Sequence, residues 1–370
     1  MSRKHFSWLL VITLIVAALV LLVPGKTSKQ SNLEKSRFLP ALQDKVNDVD
    51  WLRVAGAGDA TIATLERKDG QWVVDEVSGY AADWGRLRSL LSDLAQAEIV
   101  EAKTDNPEYY PRLGVEDVAD KDATGTLLQF SDASGLPAVI VGKPARNREG
   151  QYARLDGTAE SVLLDRPLNV PAKAIDWVQR DIIDIPDAEV VEVRIVHPDG
   201  ERVVTKKASA DDENFTLQDV PDGREVKSEW SVDSLANGLA ALTLDAVAPI
   251  GDIDWDGSVQ YSVISADGLK VDVWAVERKA EGDATGAEND SPDTQPAPTD
   301  SAEYWIKLKA ELYTTAVDSG IDPDADSETT ADRARKINAR VDGWAYRIPK
   351  YKFDTLNKRM EDLLKQPESS

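Results

Sequence analysis

The sequence contains an internal duplication, and this feature constrains the fold more than any other. Two similar units cover residues 45–185 and 186–365. Each unit is expected to open with a strand, pass through a hairpin into an aromatic strand, and continue into an amphipathic helix. The apolar positions of the first helix recur in the second at a constant offset of 145 residues: Leu87, Leu90, Leu91 and Leu94 correspond to Val232, Leu235, Ala236 and Leu239. The constant offset predicts two tandem copies of one architecture.

Alternating β-branched and aromatic residues bounded by turns predict the strands of each unit. The opening strands are predicted at Val49–Val54 and Val190–Val196, and the aromatic strands at Gly70–Val74 and Glu213–Leu217. The sequence Gly56-Ala57-Gly58 begins like a dinucleotide-binding fingerprint, but its third Gly is missing and a strand follows instead of a helix. We therefore interpret it as a hairpin turn.

The ends of the helices also correspond between the two units. Asp83 and Ser231 are predicted to cap the two amphipathic helices, because a short polar side chain at that position can accept free amide hydrogens. Pro171 and Pro349 are predicted to open the closing helix of each unit, since the fixed φ of proline suits the first helical turn.

The predicted fold class is α+β, with two tandem similar units that each contain a mainly antiparallel sheet and one or two packed helices. Gly135 and Gly268 suit matching turns of positive φ. Two insertions lengthen the second unit. Residues 279–302 are acidic and rich in Pro, and are predicted to be disordered, whereas residues 314–340 form a polar excursion before the last strand.

An apolar run near the N-terminus predicts a membrane anchor. Phe6–Val23 contains eighteen uncharged residues, just enough to span the hydrocarbon core of a bilayer. No small-residue cleavage pattern follows, so the run is predicted to be an uncleaved signal anchor. Residues 1–5 would then be a cytoplasmic tail, 24–44 a linker, and 366–370 a C-terminal tail. The large domain is accordingly expected outside the cytoplasm.

The charge and the cysteine content exclude several classes of function. A net charge of −23 and a pI near 4.5 would repel a phosphate backbone, so nucleic acid is not expected as a main partner. The chain has no cysteine, which excludes disulfide bonds, thiol nucleophiles and thiolate metal sites.

The sequence contains no recognisable catalytic constellation. Of its two histidines, His5 adjoins the predicted anchor and His197 precedes Pro198-Asp199-Gly200, a turn sequence. No G-x-S-x-G motif supplies an activated serine. Because the chain has 66 carboxylates, no general acid and base pair can be selected from sequence. We therefore predict no catalytic residue and no cofactor site.

Two acidic clusters resemble calcium loops without completing the pattern. Asp252, Asp254 and Asp256 precede a Gly as a calcium loop requires, but Val263 stands where the bidentate Glu should be. A second cluster at residues 322–326 fails in the same way. Both clusters are interpreted as solvated acidic loops, so no metal site is predicted, and the first three aspartates are the only calcium candidates retained.

Ten tryptophans are many for a chain of this length. Trp51, Trp72, Trp177 and Trp274 fall on repeat positions that alternate inward, which favours core packing. Any exposed tryptophan could instead stack on a sugar ring or contact a partner.

Several segments together resemble a known bacterial family. RFLPALQDKVNDVDWLRV, GQWVV, the leucine helix, VPAKAIDWVQRDI and IPKYKFDTL resemble, in this order, the domain of unknown function 4340. The resemblance implies a single-pass protein of the bacterial inner membrane, anchored through Phe6–Val23, with its C-terminal domain in the periplasm. It also implies an association with ABC transporters of the gliding-motility type, which have an ATPase, a permease and an auxiliary subunit. It carries over no catalytic residues.

The sequence therefore favours a non-catalytic extracytoplasmic module that binds or scaffolds a membrane transport complex. Two alternatives stay open. One is an envelope hydrolase that acts through paired carboxylates, and the other is a glycan-binding module that uses exposed tryptophans.

Overall fold

The computed structural model describes residues 36–210, 212–279, 302–313 and 327–366. The predicted anchor at Phe6–Val23 lies outside these residues, and so does the acidic cluster at 322–326. No helix within the described ranges is long and apolar enough to cross a membrane.

Nineteen strands make up most of the regular structure of the described residues. In chain order they are β1 Trp51–Gly56, β2 Ala60–Lys68, β3 Gln71–Val74, β4 Tyr80–Ala81, β5 Ile99–Ala102, β6 Thr126–Phe130, β7 Val139–Pro144, β8 Gln151–Leu155, β9 Ser161–Leu164, β10 Asp181–Ile183, β11 Val190–Val196, β12 Arg202–Lys206, β13 Thr216–Leu217, β14 Leu242–Thr243, β15 Ala246–Pro249, β16 Val259–Ser265, β17 Leu269–Lys279, β18 Ala302–Leu312 and β19 Trp344–Arg347.

The α-helices of the described residues are few and mostly short. They are α1 Leu42–Lys45, α2 Trp84–Gln96, α3 Tyr110–Leu113, α4 Glu229–Asp233, α5 Ser327–Val341, α6 Lys350–Leu356 and α7 Met360–Leu363.

The described chain forms two compact units. The first contains the described residues up to Asp48, together with Gly56–Asp59 and Leu90–Asn169; the second contains Val49–Ala55, Ala60–Ser89 and the described residues from Val170 onward. These bounds follow contacts in space. The repeat boundaries proposed from sequence, 45–185 and 186–365, stay a prediction.

Antiparallel sheets dominate both units. In the first unit the strand order is β6-β7-β8-β9-β5. The second unit has the order β4-β3-β2-β1, an eight-stranded sheet in the order β13-β12-β11-β16-β17-β18-β19-β15, and the pair β10-β14. Neighbouring strands such as β7 and β8, or β17 and β18, pair antiparallel. The predicted α+β class with mainly antiparallel sheets is therefore confirmed.

The strands predicted from sequence are present, although their bounds differ. β11 coincides with the predicted Val190–Val196, and β3 begins one residue after the predicted Gly70. β1 starts two residues later than Val49, and β13 retains only the end of the predicted Glu213–Leu217. β13 is a short edge strand whose pairing depends on its single neighbour, so the sequence pattern overestimates its length.

The amphipathic leucine helix predicted for the first sequence repeat is confirmed as α2. Leu87, Leu90, Leu91 and Leu94 are all buried, which is the outcome that their helical spacing predicts. The helix is capped as expected, since the carboxylate of Asp83 accepts the backbone N–H of Arg86 at 3.0 Å.

The second amphipathic segment differs from the prediction. Its four apolar positions are buried, but α4 ends at Asp233 and a 3₁₀-helix, Ser234–Leu239, continues it. The predicted cap at Ser231 is wrong. Ser228 is the extended cap residue, and its Oγ accepts the N–H of Ser231 at 3.2 Å. Ser231 thus lies inside the first turn, where its amide is a donor to the cap.

The two proline-led segments also have different outcomes. Pro349 precedes α6 as predicted. After Pro171, however, the chain forms only the 3₁₀-turn Ala174–Trp177. The helix prediction fails there because tertiary contacts hold the end of the segment. Trp177 is fully buried, and its backbone carbonyl accepts the N–H of Asp83 at 2.7 Å. The next residue, Val178, is extended and forms a β-bridge with Ala82, which follows β4.

Both insertions of the second unit contain structure at their ends. Lys279 and Ala302 pair at the ends of β17 and β18, and residues 280–301 between them lie outside the described residues. The excursion at 314–340 contains helix α5, which the sequence prediction missed. Asn338 fixes this helix to β18, because its side chain accepts the N–H of Ala310 at 2.8 Å and donates to the carbonyl of the same residue at 2.7 Å.

The glycines predicted to lie in turns have the positive φ angles that such turns require. Gly135 and Gly268 have φ angles of 59° and 83°. Gly58 has a φ of 68° and lies between β1 and β2, so the hairpin interpretation of Gly56-Ala57-Gly58 is confirmed.

Candidate anion-binding groove

The calcium candidates lie in a loop that a guanidinium group holds. The N–H of Asp256 donates to the carboxylate of Asp254 at 3.0 Å. Arg278 donates to the backbone carbonyl of Asp256 at 2.9 Å and also to that of Asp254. Within the described ranges, Asp252, Asp254 and Asp256 do not form a ligand set, nor does any other group of three or more His, Asp or Glu side chains. A positive group already satisfies the loop oxygens, so calcium would have to displace it.

The histidine considered as a catalytic group is a buried turn residue. His197 is 3% exposed, and its carbonyl accepts the N–H of Gly200 at 2.9 Å, as the turn sequence predicts. Its Nε2 atom lies 3.1 Å from the carbonyl oxygen of Lys358. The ring therefore joins the turn to a neighbouring segment.

The tryptophans divide between core and surface. Of the four predicted core residues, only Trp177 is fully buried, while Trp51, Trp72 and Trp274 are half-buried. Trp84, at the start of α2, is 51% exposed. Its ring is nearly parallel to that of Trp72, with centroids 6.5 Å apart and an interplanar angle of 16°.

A basic groove in the first unit was not anticipated from sequence. It lies where β7 ends and the chain turns back into β8, and its volume is about 410 Å³. The lining contains four cations and no carboxylate: Arg112, Leu113, Lys143, Pro144, Ala145, Arg146, Asn147, Arg148 and Tyr152. In a chain of net charge −23, such a concentration of positive charge is unusual.

Close backbone packing places the end of α3 against β7, and the two together form one wall of the groove. A Cβ atom on Gly142 would lie 2.5 Å from the carbonyl oxygen of Leu113 and 2.9 Å from that of Gly114. Only glycine permits this approach, so the end of α3 rests directly on β7. Lys143 reinforces the contact, because its Nζ donates to the carbonyl of Pro111 at 2.8 Å. Arg112 and Lys143 are consequently on one wall.

The hairpin that carries the other cations is fixed by Gln151. Its side-chain amide donates to the carbonyl of Gly142 at 2.8 Å, and its Oε1 accepts the N–H of Leu168 at 2.8 Å. The N–H of Ala145 donates to the carbonyl of Gly150 at 2.9 Å and closes the turn. Arg146, Asn147 and Arg148 form the tip of this hairpin.

One carboxylate, outside the lining, pairs with a groove cation. Arg148 donates to Oε2 of Glu101 at 2.5 Å, and Lys103 lies 2.8 Å from Oε1 of the same residue. Hydrogen bonds from Lys103 and Arg148 hold the pKa of Glu101 below its ordinary value. Lys103 also lies above the ring of Tyr152, with its Nζ 5.8 Å from the centroid.

The other cations retain donors for a ligand. Arg112 lies over the ring of Tyr109, with Cζ 5.0 Å from the centroid. Arg146 is exposed and makes no ion pair with any other described residue. Guanidinium and ammonium groups grouped in this way bind oxyanions. The groove is therefore suited to binding an anion.

A sequence signal for the hairpin tip did exist. Residues 143–149 read KPARNRE, a local cluster of positive charge in an acidic chain, in a turn between two strands. The contribution of Arg112 could not be inferred, because it depends on the approach of α3 to Gly142.

Comparison with known proteins gives one match. No curated protein and no solved structure matches the chain. The family model described as Domain of unknown function (DUF4340) matches residues 72–258, just over half of the chain, and this range includes the groove as well as α2 and α4. The resemblance seen in the sequence is thereby confirmed, and the chain belongs to the DUF4340 family.

Proposed function

We propose that this protein is a non-catalytic binding module that serves as an accessory of an ABC-type membrane transport system. The observation that carries the proposal is the basic groove of the first unit, whose four cations and absence of carboxylates suit recognition of an anionic partner. The same lining disfavours the hydrolase alternative at this site, since paired carboxylates are required for that chemistry.

The proposed location follows from the sequence. Phe6–Val23 has the length and the flanking charges of a signal anchor, and would tether the domain to the bacterial inner membrane with the groove in the periplasm. The expected partners are the ATPase, the permease and the auxiliary subunit of the transport complex. A tethered module needs only modest affinity, because the membrane keeps it near its partner.

We also infer that the two sequence repeats, 45–185 and 186–365, derive from a duplication. The strand order β6-β7-β8-β9-β5 of the first repeat matches the order β16-β17-β18-β19-β15 of the second. The order β3-β2-β1 of the first repeat likewise matches β13-β12-β11 of the second. The equal offset of the buried helix positions supports this inference. The basic hairpin between β7 and β8 then corresponds to the place of the acidic insertion between β17 and β18, so the groove would be specific to one copy.

Affinity purification of the tagged full-length chain from its native membranes tests the proposal. The wild type is expected to recover an ATPase and a permease, identified by mass spectrometry. Arg146→Gln combined with Arg148→Gln should lose them. Arg335→Gln is the control, because it removes an arginine that is 74% exposed and lies outside the groove. This variant should still recover both partners. Recovery of neither subunit by the wild type would contradict the accessory role.

A second candidate function rests on the paired rings of Trp72 and Trp84. An exposed indole supported by a second indole is a suitable surface for the apolar face of a sugar ring. Titration with peptidoglycan fragments should then quench tryptophan fluorescence, and Trp84→Ala should abolish the quenching. Unchanged fluorescence in the wild type would exclude this candidate.

A further inference from the structure

We infer that the groove takes a short acidic peptide segment through its side-chain carboxylates, and that Glu101 competes with this segment for Arg148. The inference rests on the proposed function, because it specifies the chemistry of the partner that the groove would recognise.

Glu101 shows how a carboxylate is received at the rim of the groove. Its two oxygens are divided between two cations, with Oε2 2.5 Å from Arg148 and Oε1 2.8 Å from Lys103. Arg148 lines the groove and Glu101 does not. A side-chain carboxylate of a ligand could therefore take the place of Glu101 at Arg148 with the same donor geometry.

The remaining cations supply further contacts along the groove. Lys143 uses one of its three N–H donors on the carbonyl of Pro111, and two are left. Arg112 lies over the ring of Tyr109, and no other described residue accepts a hydrogen bond from its guanidinium, so its N–H donors are available. Together with Arg146, these groups can bind several carboxylates that follow one another along an acidic segment of chain.

The size and the apolar part of the lining favour a peptide over a bare anion. About 410 Å³ is near the lower end of ligand-pocket volumes, roughly 300 to 1,000 Å³, so a few residues would fill it. Leu113, Pro144, Ala145 and the ring of Tyr152 contribute apolar surface between the cations. Inorganic phosphate has no apolar part to cover this surface, whereas the Cβ methylene of Asp and the Cβ and Cγ methylenes of Glu can cover it.

Glu101 lowers the affinity for any such ligand, because the ion pair with Arg148 must open before the ligand can use that guanidinium. The competition persists at neutral pH, since the neighbouring cations keep the pKa of Glu101 low and the group ionised. Glu101 is thus a residue that sets affinity and selects ligands with enough carboxylates to displace it.

The test uses the full-length chain in a neutral detergent and a fluorescein-labelled hexapeptide of Glu, Asp and Gly. Fluorescence anisotropy should show saturable binding that weakens as NaCl is raised. The same peptide with Gln and Asn in place of the acids is the control and should not bind. Arg146→Gln with Arg148→Gln should weaken binding at least about tenfold, and Arg335→Gln should leave it unchanged. Glu101→Gln should tighten it about threefold or more.

The possible outcomes separate the inference from the proposed function. Recovery of transport subunits without any binding of the acidic peptide would overturn the inference alone. Peptide binding without recovered subunits would contradict the proposed function alone. Stronger binding of inorganic phosphate, or of detergent micelles containing phosphatidylglycerol, than of the peptide would assign the groove to those anions and overturn the peptide assignment. Unchanged or weaker binding by Glu101→Gln would overturn the competition.

Discussion

The guanidinium of Arg154 lies over the ring of Tyr110, with its Cζ atom 4.7 Å from the ring centroid. The arginine is 3% exposed and donates to the carbonyls of Val115 at 2.8 Å and Thr158 at 2.7 Å, and it also pairs with Asp117. Tyr110 in turn donates its hydroxyl to the carbonyl of Ala159 at 2.5 Å. These contacts join α3 to the β8–β9 turn and so support the wall of the groove.

Arg154→Ala should lower the free energy of unfolding by about 2 to 4 kcal/mol, because buried carbonyl groups lose their donors. Arg148→Ala is the control, since its guanidinium is about half exposed and its ion pair with Glu101 contributes about 0 to 1 kcal/mol. Urea unfolding followed by tryptophan fluorescence measures both. Similar midpoints for the two variants would show that the buried network does not support the unit.

Gly142→Ala should destabilise the first unit and also weaken peptide binding. The added methyl group meets two backbone carbonyl oxygens, at 2.5 and 2.9 Å, so α3 must move away from β7 at a cost of about 1 to 3 kcal/mol. Gly157→Ala is the control: its φ of +72° is strained for alanine, about 1 kcal/mol, but no atom lies within 4 Å of the new Cβ. Anisotropy titration should show reduced binding for Gly142→Ala only. Equal binding by both variants would mean that the glycine contact does not shape the groove.

Buried tyrosines predict a loss of stability in alkali. Tyr261 is fully buried, donates its hydroxyl to the carbonyl of Leu235 at 2.6 Å, and has its pKa raised by burial. A tyrosine in the unfolded chain ionises near pH 10. Because the folded pKa is the higher one, the contribution of Tyr261 is complete below about pH 10 and decreases as the pH rises toward the folded value.

Tyr261→Phe should therefore show a shallower loss of stability above about pH 10 than the wild type. Tyr351→Phe serves as the control, because that ring is 66% exposed and its replacement should not change the slope. Urea unfolding at a series of alkaline pH values gives the slopes. Parallel profiles for the wild type and Tyr261→Phe would contradict the assignment.

Calcium should leave the melting temperature of the full-length chain unchanged. Arg278 already donates to the carbonyls of Asp254 and Asp256, and no bidentate Glu completes the loop. Differential scanning fluorimetry with and without millimolar calcium, using magnesium as the control ion, measures this. A rise in melting temperature with calcium alone would restore the metal site.

Sequence was sufficient where a local pattern decides the structure. Helix α2 could be predicted because four leucines at helical spacing and an N-terminal Asp all favour the same element. Gly135 and Gly268 could be placed in turns because positive φ favours glycine.

Sequence was insufficient where a tertiary contact overrides a local preference. The sequence after Pro171 predicts a helix, yet it forms only a 3₁₀-turn, because Trp177 is buried and Val178 is extended and bridges to Ala82. The groove depends on Arg112 and Lys143, which are far apart in sequence and meet only because Gly142 allows two backbones to touch. No periodicity or motif encodes a contact of that kind.

The proposed duplication rests in part on the burial of two amphipathic segments. Leu90 and Leu235, 145 residues apart, are 2% and 1% exposed. Replacing either with Ala removes apolar contacts and leaves a partial cavity, at a cost of about 2 to 5 kcal/mol. Arg88→Ala alters an exposed position of α2 and should change stability by less than about 0.5 kcal/mol.

Thermal unfolding of these three variants compares the two segments directly. Comparable losses for Leu90→Ala and Leu235→Ala would support equivalent positions, even though one leucine is in an α-helix and the other in a 3₁₀-helix. A large loss for one and almost none for the other would mean that the equal offset does not reflect equal packing. The proposed duplication would then depend on the strand orders alone.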